Sequence, residues 1–234
     1  MAVVFWLPLA ACLVGLFFAV AVASQFRARR RPYQAAWALA LLLFALASQQ
    51  EAVGILRGWD DLTYKGYYLF GGVLDVGWLA VGTVYLLAPR RIGTAAAALM
   101  GIASVAGAVA VMLSHTDPNL LRAATPGRGA ITGPATLFAP LINIPGSVVL
   151  IGGAALSAYR GFRRRAPSGR VAGTTLIAAG AFIVAFGHSL AQVRGVYAIQ
   201  PAAEAAGIVV MFAGYLSVEG QRRPLARSRD HATG

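Results

Sequence analysis

Cysteine occurs once in these 234 residues, at Cys12, and lysine once, at Lys65. One thiol can build neither a disulfide framework nor a thiolate metal cluster, so Cys12 reads as a small core residue. Lys65 lies in a loop outside the apolar runs, which leaves no lysine placed for a retinal Schiff base. Of the three histidines only His188 falls inside an apolar run, and a bis-histidine haem needs two. A Gly-rich phosphate loop and a paired-cysteine redox motif are both missing. Charge is scarce too, at 12% of residues, with only 8 acidic side chains.

Apolar residues fill the space that charge leaves. They make up 58% of the chain, with a mean hydropathy of +0.67, and they come in long runs. A helix needs about 20 of them to cross a hydrocarbon core, and seven windows suffice, roughly 3–25, 33–56, 66–88, 92–114, 134–158, 171–192 and 198–218. The expected fold class is all-α, a polytopic bundle of seven transmembrane helices. Only the stretch near 115–133 and the tail after Glu219 exceed the length of turns, so no separate soluble domain is expected.

A net charge of +12 invites a nucleic-acid reading, but the position of the charges argues against one. Arg27, Arg29, Arg30 and Arg31 follow the first run, Arg90 and Arg91 the third, Arg160, Arg163, Arg164, Arg165 and Arg170 the fifth, and Arg222, Arg223, Arg227 and Arg229 the seventh. Arg57, Lys65, Arg122, Arg128 and Arg194 are left for the other side. The positive-inside rule then puts the N-terminus outside and the C-terminus in the cytoplasm of a bacterial inner membrane. These arginines lack interleaved aromatics, so no nucleic-acid partner is expected, only the lipid bilayer and its anionic headgroups. "LAAC" at 9–12 and "AVAS" at 21–24 imitate cleavage sites. No basic residue precedes Arg27, however, so the first helix is expected to be retained.

The chain also matches itself. "LPLAACLVGLFFAVAVASQFRARRRP" from Leu7 and "IPGSVVLIGGAALSAYRGFRRRAP" from Ile144 pair Pro8 with Pro145, Gly15 with Gly152 and Phe26 with Phe162. "TVYLLAPRR" from Thr83 and "AGYLSVEGQRR" from Ala213 pair Tyr85 with Tyr215. The implied organisation is a three-helix unit over 1–91, a linker helix and outer loop over 92–133, a second three-helix unit over 134–219 and a basic tail over 220–234. This 3+1+3 parallel repeat resembles the layout of the SWEET sugar carriers and their PQ-loop relatives, whose plan places a site at the repeat interface. Leu9 and Gly146 stand where that group carries glutamine, so no substrate residue is implied. Through "WLAVGTVYLLAPRR" and "NIPGS" the sequence is similar to seven-span membrane proteins of high-GC bacteria that bring no activity with them.

Ionised side chains cost on the order of 3 kcal/mol or more at mid-bilayer, so intramembrane carboxylates are functional candidates. Three occur: Glu51, interrupting "FALASQQEAVGIL", Asp75 and Glu204. Asn143 and Ser147, and His188 and Gln192, lie four apart, each pair on one helix face at a similar depth. Gly71, Asp75, Trp78, Gly82 and Tyr85 form one stripe. A polar cavity in the outer half of the bundle is expected, lined by Glu51, Asp75, Trp78, Asn143, His188, Gln192 and Glu204, with Asp75 the deepest carboxylate and His188 its expected partner. Packing is the alternative role for His188, Gln192 and Trp78. Asn143 can simply answer carbonyls freed at Pro145, and Glu204 sits in a first helical turn, where a carboxylate is favoured.

Enzymatic readings fail on spacing. Asp75, Ser147 and His188 are triad types without a nucleophile elbow, and His115 with Asp117 is two ligands short of a metal site. No catalytic residue, metal or cofactor is expected. The cavity is expected to bind and transport a small solute or protons, and a homo-oligomer or membrane partner is compatible with this. A seven-helix ligand sensor and a structural subunit of a membrane complex remain the alternatives.

Overall fold

The computed structural model describes residues 2–122, 128–163, 168–194, 196 and 199–220. Seven helices run through them: α1 (Ala2–Arg29), α2 (Pro32–Arg57), α3 (Asp61–Leu87), α4 (Arg90–Leu113), α5 (Ala135–Arg163), α6 (Ser168–Arg194) and α7 (Ile199–Gly220). Six are long and apolar enough to cross a bilayer; in α6 the apolar stretch is the shorter Thr175–Gly187. The result is an all-α, multi-pass membrane-type bundle, and its exterior fits that class. Leu99, Ile102 and Val105 on α4, and Leu137, Leu141, Ile144 and Val148 on α5, are all exposed. Such surfaces suit lipid, since a helix apolar all round has no face for water.

Local chemistry sets the helix ends. At the end of α1, Arg30 turns left-handed (φ 50°) while its N–H still bonds Phe26 O at 2.8 Å. Arg31 is extended, as a residue before proline must be, and Pro32 opens α2 where a missing N–H costs nothing. Gly58, at φ 89°, closes α2 in a region that side chains resist. Asp60 then caps α3, its Oδ1 accepting from Thr63 N at 2.7 Å.

Within α3, Tyr68–Leu74 winds as π-helix between the α-helical Asp61–Tyr67 and Asp75–Leu87. This insertion changes the expected stripe. A Cβ on Gly71 would meet Ala47, and one on Gly82 would meet Trp37, so both glycines face α2. Trp78 and Tyr85 instead reach α4, through Ser104 and Thr94.

Between α4 and α5 the chain forms a short antiparallel pair, His115–Thr116 with Ile131–Thr132, and tucks Leu121, Ala130 and Ile131 into the core. Ser114 joins the two helices there, donating to Ala110 O and accepting from Ala135 N. Asp61 and Lys65 tie α3 to this loop. Thr116 Oγ1 donates to Asp61 Oδ1 at 2.7 Å, and Lys65 pairs with Asp61 at 3.0 Å.

Helix neighbours follow the closed order α1, α2, α3, α5, α6, α7 and back to α1, with α4 outside against α3 and α5. The tightest seam is α6–α7, where Gly180 faces Gly207, Gly187 faces Ala203 and Gly214 faces Gly173. Small residues seven apart on α6, and four and seven apart on α7, let these backbones approach as side chains would not.

The residues aligned between the two halves sit in different surroundings. Pro8 and Gly15 are buried, with Gly15 against Phe44, whereas Pro145 and Gly152 are exposed. Tyr85 sits over Gly93 of α4, while Tyr215 bonds across to Gln25 and Ala21 of α1.

Candidate functional site: a carboxyl pair at the loop end

Glu51 lies near the C-terminal end of α2 and Glu204 in the second turn of α7. Running antiparallel, the two helices bring these residues to the same end of the bundle, the end that carries the β pair. Both are almost fully buried, 3% and 5% exposed. Their carboxyl groups are close neighbours and interact with each other. An ionised carboxylate only accepts, so a hydrogen bond between two carboxyl groups needs a proton on one of them.

Neutral groups complete the surroundings. Gln200, one turn before Glu204, donates through Nε2 to Glu204 Oε1 at 3.2 Å and also to the Tyr67 hydroxyl of α3. Tyr67 belongs to an aromatic cluster in which its ring centroid lies 5.4 Å from that of Trp59 and 6.1 Å from that of Tyr64. Trp59 comes from the α2–α3 turn and lies over Gly54, where any side chain would displace it. Gln50 packs on Gly66 of α3, and Gln49 is exposed. Of the "SQQE" run, Ser48 and Glu51 thus face inward. Glu51 Oε2 and Ser48 Oγ, one helical turn apart, are both buried without a hydrogen-bond partner.

The other expected site residues separate into two groups. Asp75 is buried, 9% exposed, and its Oδ1 accepts from Val76 N at 2.6 Å. It lies eight residues beyond Tyr67, with the whole π segment between them. Asn143 donates to Gly72 O at 2.7 Å, so the carbonyl it serves belongs to the π segment of α3 and not to the Pro145 turn of its own helix. A π turn disturbs the regular backbone ladder, and a side-chain amide is a ready donor for the carbonyl left there. Trp78 Nε1 reaches Ser104 Oγ at 3.2 Å, which in turn bonds Met100 O. Trp78 and Asn143 thus bond on the α3–α4–α5 side. The side chains of His188 and Gln192 lie outside the described residues; their helix passes Glu204 where Gly187 meets Ala203.

Sequence reasoning overlooked Tyr67 and Gln200. Gln200 had a legible signal, since it stands four before Glu204 on the same helix face. Tyr67 had none beyond its place near a span end. Among the described residues no cluster of three or more His, Cys, Asp or Glu could hold a metal. His115 and Asp117 lie in the α4–α5 loop, where Asp117 Oδ1 caps Asn119 N at 2.8 Å. Compared with known proteins, the chain matches no family model, no curated protein and no solved structure.

Proposed function

We propose that this chain is a seven-span protein of the bacterial inner membrane, N-terminus outside, that takes up protons at Glu51–Glu204 and uses them to move protons or a small solute across the bilayer. The observation that carries the reading is the pair of neighbouring buried carboxyl groups, which can share a proton. Membrane carboxylates are costly, and here two of them meet at one depth. A proton is also the one ligand that needs no space in a site already packed by Tyr67 and Gln200. The arginine distribution supports the orientation and places the pair near the outer face. Support for the 3+1+3 plan comes from the helix neighbours, because α7 on α1 and α3 on α5 are the equivalent contacts of two such units. The dissimilar surroundings of Pro8 and Pro145 count against residue-level equivalence. For Asn143 and Trp78 the bonds to Gly72 and Ser104 favour a packing role, as the structural-subunit alternative expects.

The test uses the full chain in liposomes loaded with a pH-sensitive dye. An imposed pH gradient should acidify the lumen faster than in empty liposomes, and Glu51→Gln or Glu204→Gln should remove that excess. Wild-type rates equal to empty liposomes, or both variants at wild-type rate, would overturn the proposal.

A further inference from the structure

We propose that the core enclosed by α1, α2 and α7 holds the transport path, and that Gln34, Gln25 and Tyr215 form a hydrogen-bonded lock closing its arginine-rich end. The inference extends the proposed function to the opposite end of the same two helices, and it stands on separate contacts. Gln34, 1% exposed, donates through Nε2 to Gln25 Oε1 at 3.1 Å. Gln25 Nε2 donates to the Tyr215 hydroxyl at 2.6 Å, and that hydroxyl donates to Ala21 O at 3.3 Å. The relay thus crosses from α2 to α1, to α7 and back to α1. At its head Gln34 Oε1 is buried with no partner.

α2 and α7 both pack on α1 and run antiparallel to each other, which sets the rest of the path. Glu51 meets Glu204 at the loop end, and Gln34 connects to Tyr215 at the arginine end. Between them Leu41 and Phe44 of α2 share one apolar cluster with Ile208 and Met211 of α7 and with Phe18 of α1. The path is therefore polar at both ends and closed by an apolar plug in the middle.

Three polar atoms of α2, Gln34 Oε1, Ser48 Oγ and Glu51 Oε2, are buried without partners. Each one costs stability that an alanine or leucine would not. A helix kept only for packing gains nothing from them. In a conformation where water or a solute enters this core, all three would gain donors. A lock of neutral hydrogen bonds suits this cycle, because such bonds between membrane helices are weak enough to break and re-form.

The test reads access directly, with no transport required. In a Cys12→Ala background, Leu41→Cys puts a thiol in the plug, and a charged, membrane-impermeant maleimide is offered from either face in oriented vesicles. Labelling should be slow from both faces. Adding Tyr215→Phe, which keeps the ring beside Phe212, should raise labelling from the arginine face by about tenfold, the worth of the two hydrogen bonds lost with its hydroxyl in an opening equilibrium, with the other face unchanged. Gln34→Met removes the relay at its other end and should do the same if Tyr215→Phe yields no folded protein. An unchanged rate, or an equal rise from both faces, would overturn the lock. Loss of proton uptake in the wild type with one-sided labelling intact would sink only the proton reading, and normal uptake with unchanged labelling would sink only the lock.

Discussion

Replacing Asn143 by leucine isolates one interhelical bond whose worth can be estimated. Its Nδ2 lies 2.7 Å from Gly72 O, a carbonyl of the π segment. Leaving such a carbonyl unpaired in a buried site costs about 1–3 kcal/mol. Two considerations reduce the figure. Asn143 Oδ1 is itself buried without a partner, so leucine also removes an existing cost. Hydrogen bonds between membrane helices average only about 0.6 kcal/mol, with a maximum near 1.7. The net loss expected for Asn143→Leu is therefore about 1 kcal/mol, equivalent to about 2–4 °C in Tm. Asn143→Asp is expected to be worse, because it turns an acceptor toward the Gly72 carbonyl in place of the donor. Unfolding the purified protein with a denaturing detergent in mixed micelles should rank wild type above the leucine variant and leucine above aspartate. An aspartate variant as stable as wild type would refute the assignment of this bond as the anchor of the π segment.

The same reasoning reaches other positions. Gly180→Ala places a methyl against the Gly207 backbone and should lower the folded yield sharply, whereas Gly152→Ala, with open space around it, should be neutral or stabilising by up to about 1 kcal/mol through helix propensity; comparable yields would contradict the α6–α7 seam. Asp75→Asn keeps the Oδ1 that accepts from Val76 N, so proton uptake should survive, and its loss would return Asp75 to the site. Reporters fused after Gly234 and inserted near Arg164 should lie in the cytoplasm and one near Pro126 outside; any reversal would invert the orientation.

Long apolar runs made the helices legible, because a membrane span needs little besides length and absence of charge. The ends were less so: α3 begins at Asp61, five residues before its apolar window, since Asp60 supplies a cap that hydropathy does not register. The π segment was invisible for a related reason. It depends on what packs against Tyr68–Leu74, and a 3.6-residue stripe drawn through Gly71 and Trp78 assumed an unbroken helix. Depth alone was enough to bring Glu51 and Glu204 together, as both stand close to span ends on the same side. It was not enough to place Asp75, because the π segment between Tyr67 and Asp75 resets which face of α3 it stands on. The half-buried Gln25–Gln34–Tyr215 relay lies at span ends, and its contacts depend on α1, α2 and α7 coming together.

Infrared difference spectroscopy of the purified protein tests the shared proton most directly. At neutral pH the wild type should show a protonated-carboxyl C=O stretch that shifts in heavy water, and Glu51→Gln and Glu204→Gln should each lose it. Absence of that band in the wild type, or its persistence unchanged in both variants, would contradict the carboxyl pair as a proton-binding site.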